Sequence, residues 1–582
     1  MKFLRNLLAS ILGFFIAIFL MFVFFIAIAA LMGDSDEVVV KSNSVLELDL
    51  SNIVKDYAPK DKNAFVDALE LNDEKLALNK ILNAIDNAQL DDKIKGISLN
   101  TSGVSAGFAQ TQAIRKKLNS FKESGKFIYA YNDVYSQKNY YLSSVADSVF
   151  INPVGQIDFS GLSSEILYYK DFEDKYGVKM EVIRHGKYKS AVEPYLESEM
   201  SEANREQITS FLSSIWSEIT DGISKTRNIP VEKLNTIADN SEGRNAELAI
   251  KNKLVDAAIY QDEYDDKLTS ATGDKFSTIS IEDYIKSGKG KKTSEASDRI
   301  AVIYAQGQII YGKGNEDEIG QGIINKAIKK AVKDKKVKAI VLRVNSPGGS
   351  ALASELIWRE LELAKKEKPL VVSMGNLAAS GGYYIACNAD LIVAEPTTIT
   401  GSIGVFGALP NAYELSKDMG INAEQVSTNT SAQYSLFEPI SKEFYDVTKE
   451  GVEQIYTTFV NRVATGRKLT FEQVDAVAQG RVWSGKEAID KGLVDVLGGL
   501  EDAINNAAQL ADVKDYKIKN YPNYKKEFKD VFGGFSPFAK VNKEEILKEA
   551  LGNEQYRLYK EINQFKDLKG IQARMPYAIE IK

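Results

Sequence analysis

Short apolar runs alternate with longer amphipathic segments through both halves of this chain. The runs that predict strands lie, in chain order, at residues 45–50, 97–99, 127–131, 148–151, 301–304, 339–344, 370–374 and 391–394. Several of the segments between them carry apolar residues at helical spacing, for example at 110–121 and 354–366. Alternation of strands and helices, with strands that are apolar throughout, predicts a layered α/β core built on parallel strands.

The second half of the chain repeats the first. The tyrosine pair at 383–384 recurs at 140–141, and the Ala-Asp pair at 389–390 recurs at the same separation at 146–147. We therefore predict a duplicated unit with these boundaries: an N-terminal stub and anchor at 1–33, a first copy at 40–286, a polar linker at 287–298, a second copy at 299–511 and an extension at 512–582. The extension has helical character at 544–565, which fits either an arm for a neighbour or bilayer, or a tethered peripheral helix.

Residues 7–32 form an apolar stretch that only Ser10 and Gly13 interrupt. A helix needs about 20 apolar residues to cross a bilayer, so this stretch is long enough. Lys2 and Arg5 precede it and acidic residues follow it, which favours a cytoplasmic N-terminus and a main body outside the cytoplasm. The alternative is a cleaved signal peptide, but the apolar core of such a signal is usually only about 7–15 residues long. We therefore predict an uncleaved transmembrane anchor.

The composition excludes several kinds of site. The net charge of −7 comes from interspersed acidic and basic residues, so no nucleic-acid surface is predicted. The chain has one cysteine, Cys387, and one histidine, His185, which excludes an internal disulfide framework, a cysteine metal cluster and a polyhistidine metal site. It also has no G-x-x-x-x-G-K-[ST] run for phosphate binding. We expect neither a metal nor a cofactor.

The stretch 370–406 contains a candidate nucleophile. A predicted strand leads through small residues to Ser380, and a predicted helix follows it. A serine at a helix N-terminus can attack a carbonyl group while backbone amides hold the oxyanion, although such a serine can also merely cap the helix. The first copy favours the chemical interpretation, because it keeps the surrounding pattern but has Gln137 at this position and lacks the glycines. Rival nucleophiles in glycine-rich loops, each better suited to a turn, are Ser346, Ser350 and Ser402.

A serine nucleophile needs a base. In the first copy a predicted strand ends at Arg184 and leads into a run that contains His185 and Lys189. The matching stretch of the second copy has Tyr434 where Lys189 would stand, so the copy with the serine lacks the lysine. Burial away from counter-charges lowers the pKa of a lysine from about 10.4 and can make its amine a base near neutral pH. His185 is the rival base, although no matching acid is apparent in the sequence.

Three motifs behind the N-terminal anchor give a resemblance to a known family. They are Tyr-Lys-Ser-Ala-Val-Glu-Pro at 188–194, Asn-Ser-Pro-Gly-Gly at 345–349 and Ala-Ala-Ser-Gly-Gly-Tyr-Tyr at 378–384. Over about residues 40–510 the chain resembles the long-form signal peptide peptidase A (protease IV) family. The resemblance implies a fold that is a tandem duplication of the ClpP/crotonase-like layered β/α unit.

The resemblance also implies a Ser–Lys dyad, with Ser380 as nucleophile and Lys189 as general base. The oxyanion hole would use the amide of Gly349 or Gly348, together with that of Gly381. The implied protein is a homotetrameric serine endopeptidase of the bacterial inner membrane. Its catalytic region would be periplasmic and would hydrolyse cleaved signal peptides and other unfolded segments. A crotonase-type acyl-CoA enzyme and a non-catalytic membrane scaffold stay open as alternatives, as does a dyad formed between chains.

Overall fold

The computed structural model describes residues 2–32, 38–58, 76–100, 103–292, 294–429, 433–524 and 571–575. Its first helix, α1, extends over Lys2–Met32 and covers the apolar N-terminal stretch. Among the residues whose side chains are described, no helix contains a stretch that is both long and apolar enough to cross a membrane. The transmembrane anchor therefore stays a prediction. The predicted helix at 544–565 lies outside the described residues.

Parallel strands form the centre of the first half. Its strands are β1 Ser44–Glu47, β2 Val54–Lys55, β3 Leu76–Ala77, β4 Ile94–Leu99, β5 Phe127–Tyr135, β6 Ser148–Ile157, β7 Lys179–Arg184, β8 Ala257–Ala258 and β9 Ser277–Ser280. Its helices are α2 Leu78–Leu90, α3 Phe108–Lys122, α4 Gln137–Ser143, α5 Lys170–Tyr176, α6 Glu193–Leu196, α7 Glu202–Arg227, α8 Val231–Asp239, α9 Ala246–Lys251, α10 Gln261–Thr272 and α11 Ile281–Tyr284. The main sheet has the order β8–β6–β5–β4–β1–β9, and each pair in it is parallel.

The second half repeats this arrangement. Its strands are β10 Arg299–Gln306, β11 Gln308–Ile310, β12 Glu318–Gly320, β13 Val337–Ser346, β14 Gly348–Ser350, β15 Leu370–Ala379, β16 Leu391–Ala394, β17 Ile399–Gly401, β18 Phe406–Asn411, β19 Val482–Ser484, β20 Val496–Leu497, β21 Lys517–Tyr521 and β22 Gln572–Arg574. Its helices are α12 Gln321–Lys333, α13 Ala351–Lys365, α14 Gly381–Ala386, α15 Tyr413–Asp418, α16 Lys442–Arg467, α17 Phe471–Val477, α18 Gly485–Asp490 and α19 Leu500–Leu510. The main sheet has the order β19–β17–β15–β13–β10–β21, and β16 also pairs with β15.

Equivalent contacts in the two halves reflect the predicted duplication. The hydroxyl of Tyr140 donates to the carbonyl of Leu254 at 2.8 Å, and the hydroxyl of Tyr383 donates to the carbonyl of Leu493 at 2.9 Å. Each tyrosine lies on the short helix that follows the central strand of its half. Both rings are fully buried, so each hydroxyl needs an internal acceptor, and the same carbonyl position supplies it in both copies.

The predicted strands are confirmed, but most are longer than their apolar runs, and only β1 ends before its predicted limit. The clearest case is β15, which we expected to end at Met374 but which continues through polar residues to Ala379. Beside this extension, the side-chain oxygen of Asn345 accepts a hydrogen bond from the Leu377 amide at 3.2 Å, where the register of the two strands is irregular. The extended strand brings Ser380 directly to the end of the sheet.

A mixed sheet joins the two halves. Its order is β12–β11–β14–β22–β18–β7, and β7 is the strand that the first half contributes. β7 pairs antiparallel with β18, with Arg184 opposite Phe406 and Lys179 opposite Asn411. Register in such a pair is fixed residue by residue. The loop after β7, which contains Lys189, is therefore held against the second half.

A buried ion pair also joins the halves. Arg343 on β13 donates to a carboxylate oxygen of Asp56 at 2.9 Å, and the two side chains are only 2% and 1% exposed. The other carboxylate oxygen accepts a hydrogen bond from the side-chain amide of Asn345 at 2.7 Å. Asn345 begins the Asn-Ser-Pro-Gly-Gly run, so a residue of the first half fixes the start of this loop.

Candidate active site

Ser380 lies between β15 and α14 in an unusual backbone conformation. Its φ of 56° and ψ of −116° are rare for a residue other than glycine, and such a conformation costs about 1–3 kcal/mol. The amide of Ser380 donates to the Gly401 carbonyl at 2.8 Å, which holds the residue in place. Its side chain is fully buried and makes no capping hydrogen bond to the helix. The helix-cap interpretation of Ser380 is therefore wrong.

Lys189 reaches this serine from the other half of the same chain. In the loop after β7, the Tyr188 amide donates to the Gln479 carbonyl at 2.9 Å. The next residue, Gly480, packs so closely on the loop that a Cβ there would lie 2.6 Å from Lys189 Cα. Lys189 Nζ and Ser380 Oγ are hydrogen-bonded at 2.9 Å. The structure thus brings the two predicted site residues together within one chain.

The surroundings of Lys189 favour a neutral amine. The side chain is fully buried, and the oxygens that Nζ contacts belong to the Ser380 hydroxyl and to the hydroxyl and carbonyl of Ser402. None of these oxygens is charged. Burial alone lowers the pKa of Lys189 well below its ordinary value of 10.5, because the ammonium form loses its hydration. A neutral amine beside a serine hydroxyl can accept the proton of that hydroxyl.

Ser402 belongs to this cluster, and the sequence did not reveal its contact. The sequence predicts a turn role for this rival nucleophile. It does have a turn conformation, with a φ of 49°, and its amide donates to the Arg481 carbonyl at 2.6 Å. Its hydroxyl also lies 3.0 Å from Lys189 Nζ. Ser402 therefore orients the amine toward Ser380, a role that depends on a contact between the halves.

The two other rival serines have structural partners. Ser346 accepts a hydrogen bond from the Gly348 amide at 3.1 Å, so it shapes the Asn-Ser-Pro-Gly-Gly loop and occupies that amide. Ser350 accepts a hydrogen bond from the Ala353 amide at 3.3 Å and caps α13. These contacts favour the turn and cap roles expected for both residues.

The segment 571–575 lies in the cleft beside the loop. β22 pairs antiparallel with β14 on one side and contacts β18 at Phe406 on the other. The Met575 amide donates to the Pro347 carbonyl at 2.6 Å, and the Ala351 amide donates to the Ile571 carbonyl at 3.4 Å. Opposed residues in an antiparallel ladder alternate between hydrogen-bonded and non-hydrogen-bonded pairs. These two contacts therefore fix which pairs between them are hydrogen-bonded.

Gly349 and Ala573 stand opposite each other midway between those two contacts. They form a hydrogen-bonded pair by this alternation, in which the Gly349 amide faces the Ala573 carbonyl. A Cβ on Gly348 would lie 2.3 Å from the Ala573 oxygen, and one on Gly381 would lie 2.9 Å from it. The Ala573 carbonyl oxygen thus lies against the glycines expected to form the oxyanion hole. Gly349, rather than Gly348, has its amide directed at this oxygen.

His185 has an acidic partner, contrary to our expectation. Its Nδ1 lies 2.7 Å from a carboxylate oxygen of Glu453 on α16, and its ring stacks on Tyr456 at 3.6 Å. Sequence reasoning missed this acid because Glu453 is 268 residues away from His185 in the chain. The contacts of the ring are with α16, whereas Lys189 is the residue that contacts Ser380.

In the first copy, a glutamine side chain occupies the place of the nucleophile. Gln137 takes the position equivalent to Ser380, at the start of α4. Its side-chain amide donates to the Gly161 carbonyl at 2.8 Å, and its side-chain oxygen accepts from the Gly161 amide at 2.8 Å.

In the described part of the chain, no group of three or more His, Cys, Asp and Glu side chains is placed to hold a metal ion.

Residues 120–273 and 362–514 match the family model described as Peptidase family S49, and together they make up more than half of the chain. The chain belongs to peptidase family S49. One match falls in each half, so the S49 domain is duplicated, as the repeat predicted. Residues 290–400 also match the Clp protease model, which confirms the expected relation to the ClpP fold.

Curated relatives agree with this assignment. The chain is 38% identical to Protease 4 of Haemophilus influenzae, over 78% of each chain. It is 39% identical to Protease 4 of Salmonella typhi, over 76% of this chain and 74% of the relative. It is 33% identical to the chloroplastic serine protease SPPA of Arabidopsis thaliana, over 81% of this chain and 70% of the relative. This S49 protein is therefore a serine peptidase, and the resemblance found in the sequence is confirmed.

Proposed function

We propose that this S49 peptidase is an endopeptidase that uses a Ser–Lys dyad, with Ser380 as nucleophile and Lys189 as general base. One observation carries the proposal. A fully buried lysine, whose pKa is lowered by burial, lies 2.9 Å from the hydroxyl of a serine held in a strained conformation. A fully buried charged lysine is normally paired with a carboxylate, whereas the oxygens around Lys189 Nζ are neutral.

In the proposed reaction, the Ser380 hydroxyl donates its proton to the neutral Lys189 amine as Oγ attacks the substrate carbonyl carbon. The resulting ammonium then protonates the leaving amine nitrogen, and the peptide C–N bond breaks to give an acyl-enzyme. Water next attacks the ester carbon, and Lys189 accepts its proton and returns it to Ser380 Oγ. The carboxyl product then leaves, and the neutral amine is restored.

The oxyanion would be held by the amides of Gly349 and Gly381. The direction of the Gly349 amide and the closeness of the Ala573 oxygen to Gly381 support this role. Preorganised amides in a buried site stabilise the developing negative charge strongly, because no solvent has to reorganise. Loss of one such donor typically reduces kcat by about 10²–10³-fold.

We further propose that α1 anchors the chain in the bacterial inner membrane and that the catalytic region is periplasmic. The apolar sequence of residues 7–32 and its charged flanks support this placement. The proposed substrates are cleaved signal peptides and other unfolded segments, and the proposed assembly is a homotetramer. N-terminal sequencing of membrane-extracted protein and the mass of the extracted assembly test these points. A mature N-terminus near Asp34, or a monomer, would contradict them.

The dyad is tested with full-length variants and unfolded peptide substrates. Ser380→Ala and Lys189→Met should each reduce kcat/KM by about 10⁴-fold or more, because members of a catalytic unit fail together. Lys187→Met is the matched control, since Lys187 is exposed and two residues away. His185→Ala should retain most activity. An inactive His185→Ala with an active Lys189→Met would transfer the base role to the histidine.

A further inference from the structure

Residues 571–575 of this chain lie in the active-site cleft. β22 lies between β14, which contains the two glycines of the Asn-Ser-Pro-Gly-Gly loop, and β18, which holds the Lys189 loop through β7. An extended peptide that adds a strand to exposed sheet edges is a common mode of peptide recognition, with main-chain hydrogen bonds giving affinity and side-chain pockets giving specificity. The segment 571–575 binds in this mode, with its main chain paired on both sides.

The register of the segment is that of a substrate. The carbonyl of Ala573 faces the Gly349 amide and lies against Gly381, where the carbonyl under attack would have to lie. The residue on its N-terminal side, Gln572, pairs with Phe406 of β18. The chain continues to Met575, whose amide is bound by the Pro347 carbonyl. Residues on both sides of the Ala573–Arg574 peptide bond are therefore held by main-chain contacts.

The side chains of the segment show what the cleft accepts. In a strand, residues 571, 573 and 575 direct their side chains to one face. Ala573 is completely buried opposite Gly349, so this position of the cleft holds a small side chain. Met575 is 3% exposed and belongs to the apolar cluster that includes Ala379 and Ile399. Ile571 packs closely on Gly451, where an added Cβ would lie 3.0 Å from its Cδ1.

We propose that the cleft between β14 and β18 is the peptide-binding site and that residues 571–575 occupy it in cis as a competitor with a substrate-like register. The site takes one extended strand with a small residue at the position of Ala573 and apolar residues two positions before and after it. This inference rests on the proposed function, because a competitor of substrate needs a peptidase site to occupy. The C-terminal extension, whose role the sequence left open, thereby acquires one.

The effect of the tethered segment on the apparent KM can be estimated. A tethered segment acts at an effective concentration on the order of 1 mM. If the free segment binds with a dissociation constant of about 0.1 mM, the tether raises the apparent KM for a separate substrate roughly tenfold. The value of kcat is unaffected, because saturating substrate displaces the segment.

The test compares two alanine-to-tryptophan variants of the full-length protein. Ala573→Trp cannot fit its buried position, so it should release the segment and lower the KM of a quenched fluorogenic peptide about tenfold at constant kcat. Ala271→Trp is the matched control, because Ala271 is exposed on α10 in the first half, and its KM should equal that of the wild type. An unchanged KM for Ala573→Trp would overturn the proposal.

If the Ala573→Trp variant does not fold, inhibition of the wild-type protein by a free peptide tests the same proposal. The free peptide Gly-Ile-Gln-Ala-Arg-Met should inhibit the wild-type protein competitively, and the same peptide with tryptophan in place of alanine should not. Inhibition that is equal for both peptides, or that is not competitive, would overturn the proposed register. These experiments require only that the wild-type protein hydrolyses peptides. The proposed catalytic function has its own test, because it would be contradicted if Ser380→Ala kept its activity.

Discussion

Replacement of Asp56 by alanine should both destabilise the protein and impair its active site. Asp56 belongs to the first half and accepts hydrogen bonds from Arg343 at 2.9 Å and from Asn345 at 2.7 Å, both in the second half. Its removal leaves the Arg343 charge buried without compensation. It also removes the acceptor of the side-chain amide of Asn345, which begins the loop that contains the Gly349 amide. The variant therefore tests whether contacts between the halves assemble the site.

The free energy of unfolding that Asp56→Ala loses can be estimated from the hydrogen bonds that Arg343 keeps. Breaking a buried ion pair by removing one partner typically costs about 3–5 kcal/mol. Arg343 keeps hydrogen bonds to the Ser373 hydroxyl at 2.8 Å and to the Met374 carbonyl at 2.7 Å, so we expect about 3 kcal/mol, the lower end of that range. The neighbouring pair between Lys55 and Asp317 gives a control, because the Asp317 side chain is 56% exposed. Asp317→Ala should cost about 1 kcal/mol or less.

Urea unfolding of the full-length variants, followed by tryptophan fluorescence, measures both costs, and peptide hydrolysis measures the effect on the site. Asp56→Ala should also lower kcat, whereas Asp317→Ala should leave it near the wild-type value. The double variant Asp56→Leu, Arg343→Met should recover most of the lost stability, since a well-packed apolar pair can replace a buried ion pair. A loss below about 1 kcal/mol for Asp56→Ala, with kcat unchanged, would refute this account of the interface.

Four further predictions concern the site itself. Because burial lowers the pKa of Lys189, kcat/KM should rise with pH through that lowered pKa, and a pH-rate profile without this rise would contradict a neutral base. Between that lowered pKa and 10.5, Lys189 is protonated in the unfolded state but neutral in the folded state. The free energy of unfolding should therefore rise with pH in the wild type relative to Lys189→Met, and urea unfolding at several pH values measures this difference. Ser402→Ala should lower kcat about tenfold with little change in KM, from the loss of one buried hydrogen bond; steady-state kinetics with unchanged kcat would exclude its orienting role. Gly349→Ala should inactivate the protein, because its Cβ would lie 2.0 Å from the Ile309 oxygen, and retained peptide hydrolysis would contradict the placement of the oxyanion hole.

The sequence predicted the repeating α/β architecture because burial on both faces of parallel strands leaves a pattern in the apolar residues. It also predicted Ser380 and Lys189, because each copy lost the residue that the other kept. The extension of β15 past Met374 was missed, since its polar residues are satisfied by the neighbouring strand rather than by a local pattern.

Contacts between distant parts of the chain were beyond sequence reasoning. The pairing of β7 with β18, the Glu453 partner of His185 and the position of Ser402 each depend on how the two halves pack. None of them leaves a periodic signal in one segment. The same holds for residues 571–575, which form a short strand only because the cleft supplies its pairing partners.

The central claim is that Lys189 activates Ser380, and covalent labelling tests it most directly. A fluorophosphonate probe reacts with an activated serine, and peptide mapping by mass spectrometry identifies the modified residue. We predict an adduct on Ser380 in the wild-type protein and in Lys187→Met, none in Ser380→Ala and a strongly reduced labelling rate in Lys189→Met. An adduct on another serine, or a labelling rate that Lys189→Met leaves unchanged, would contradict the claim.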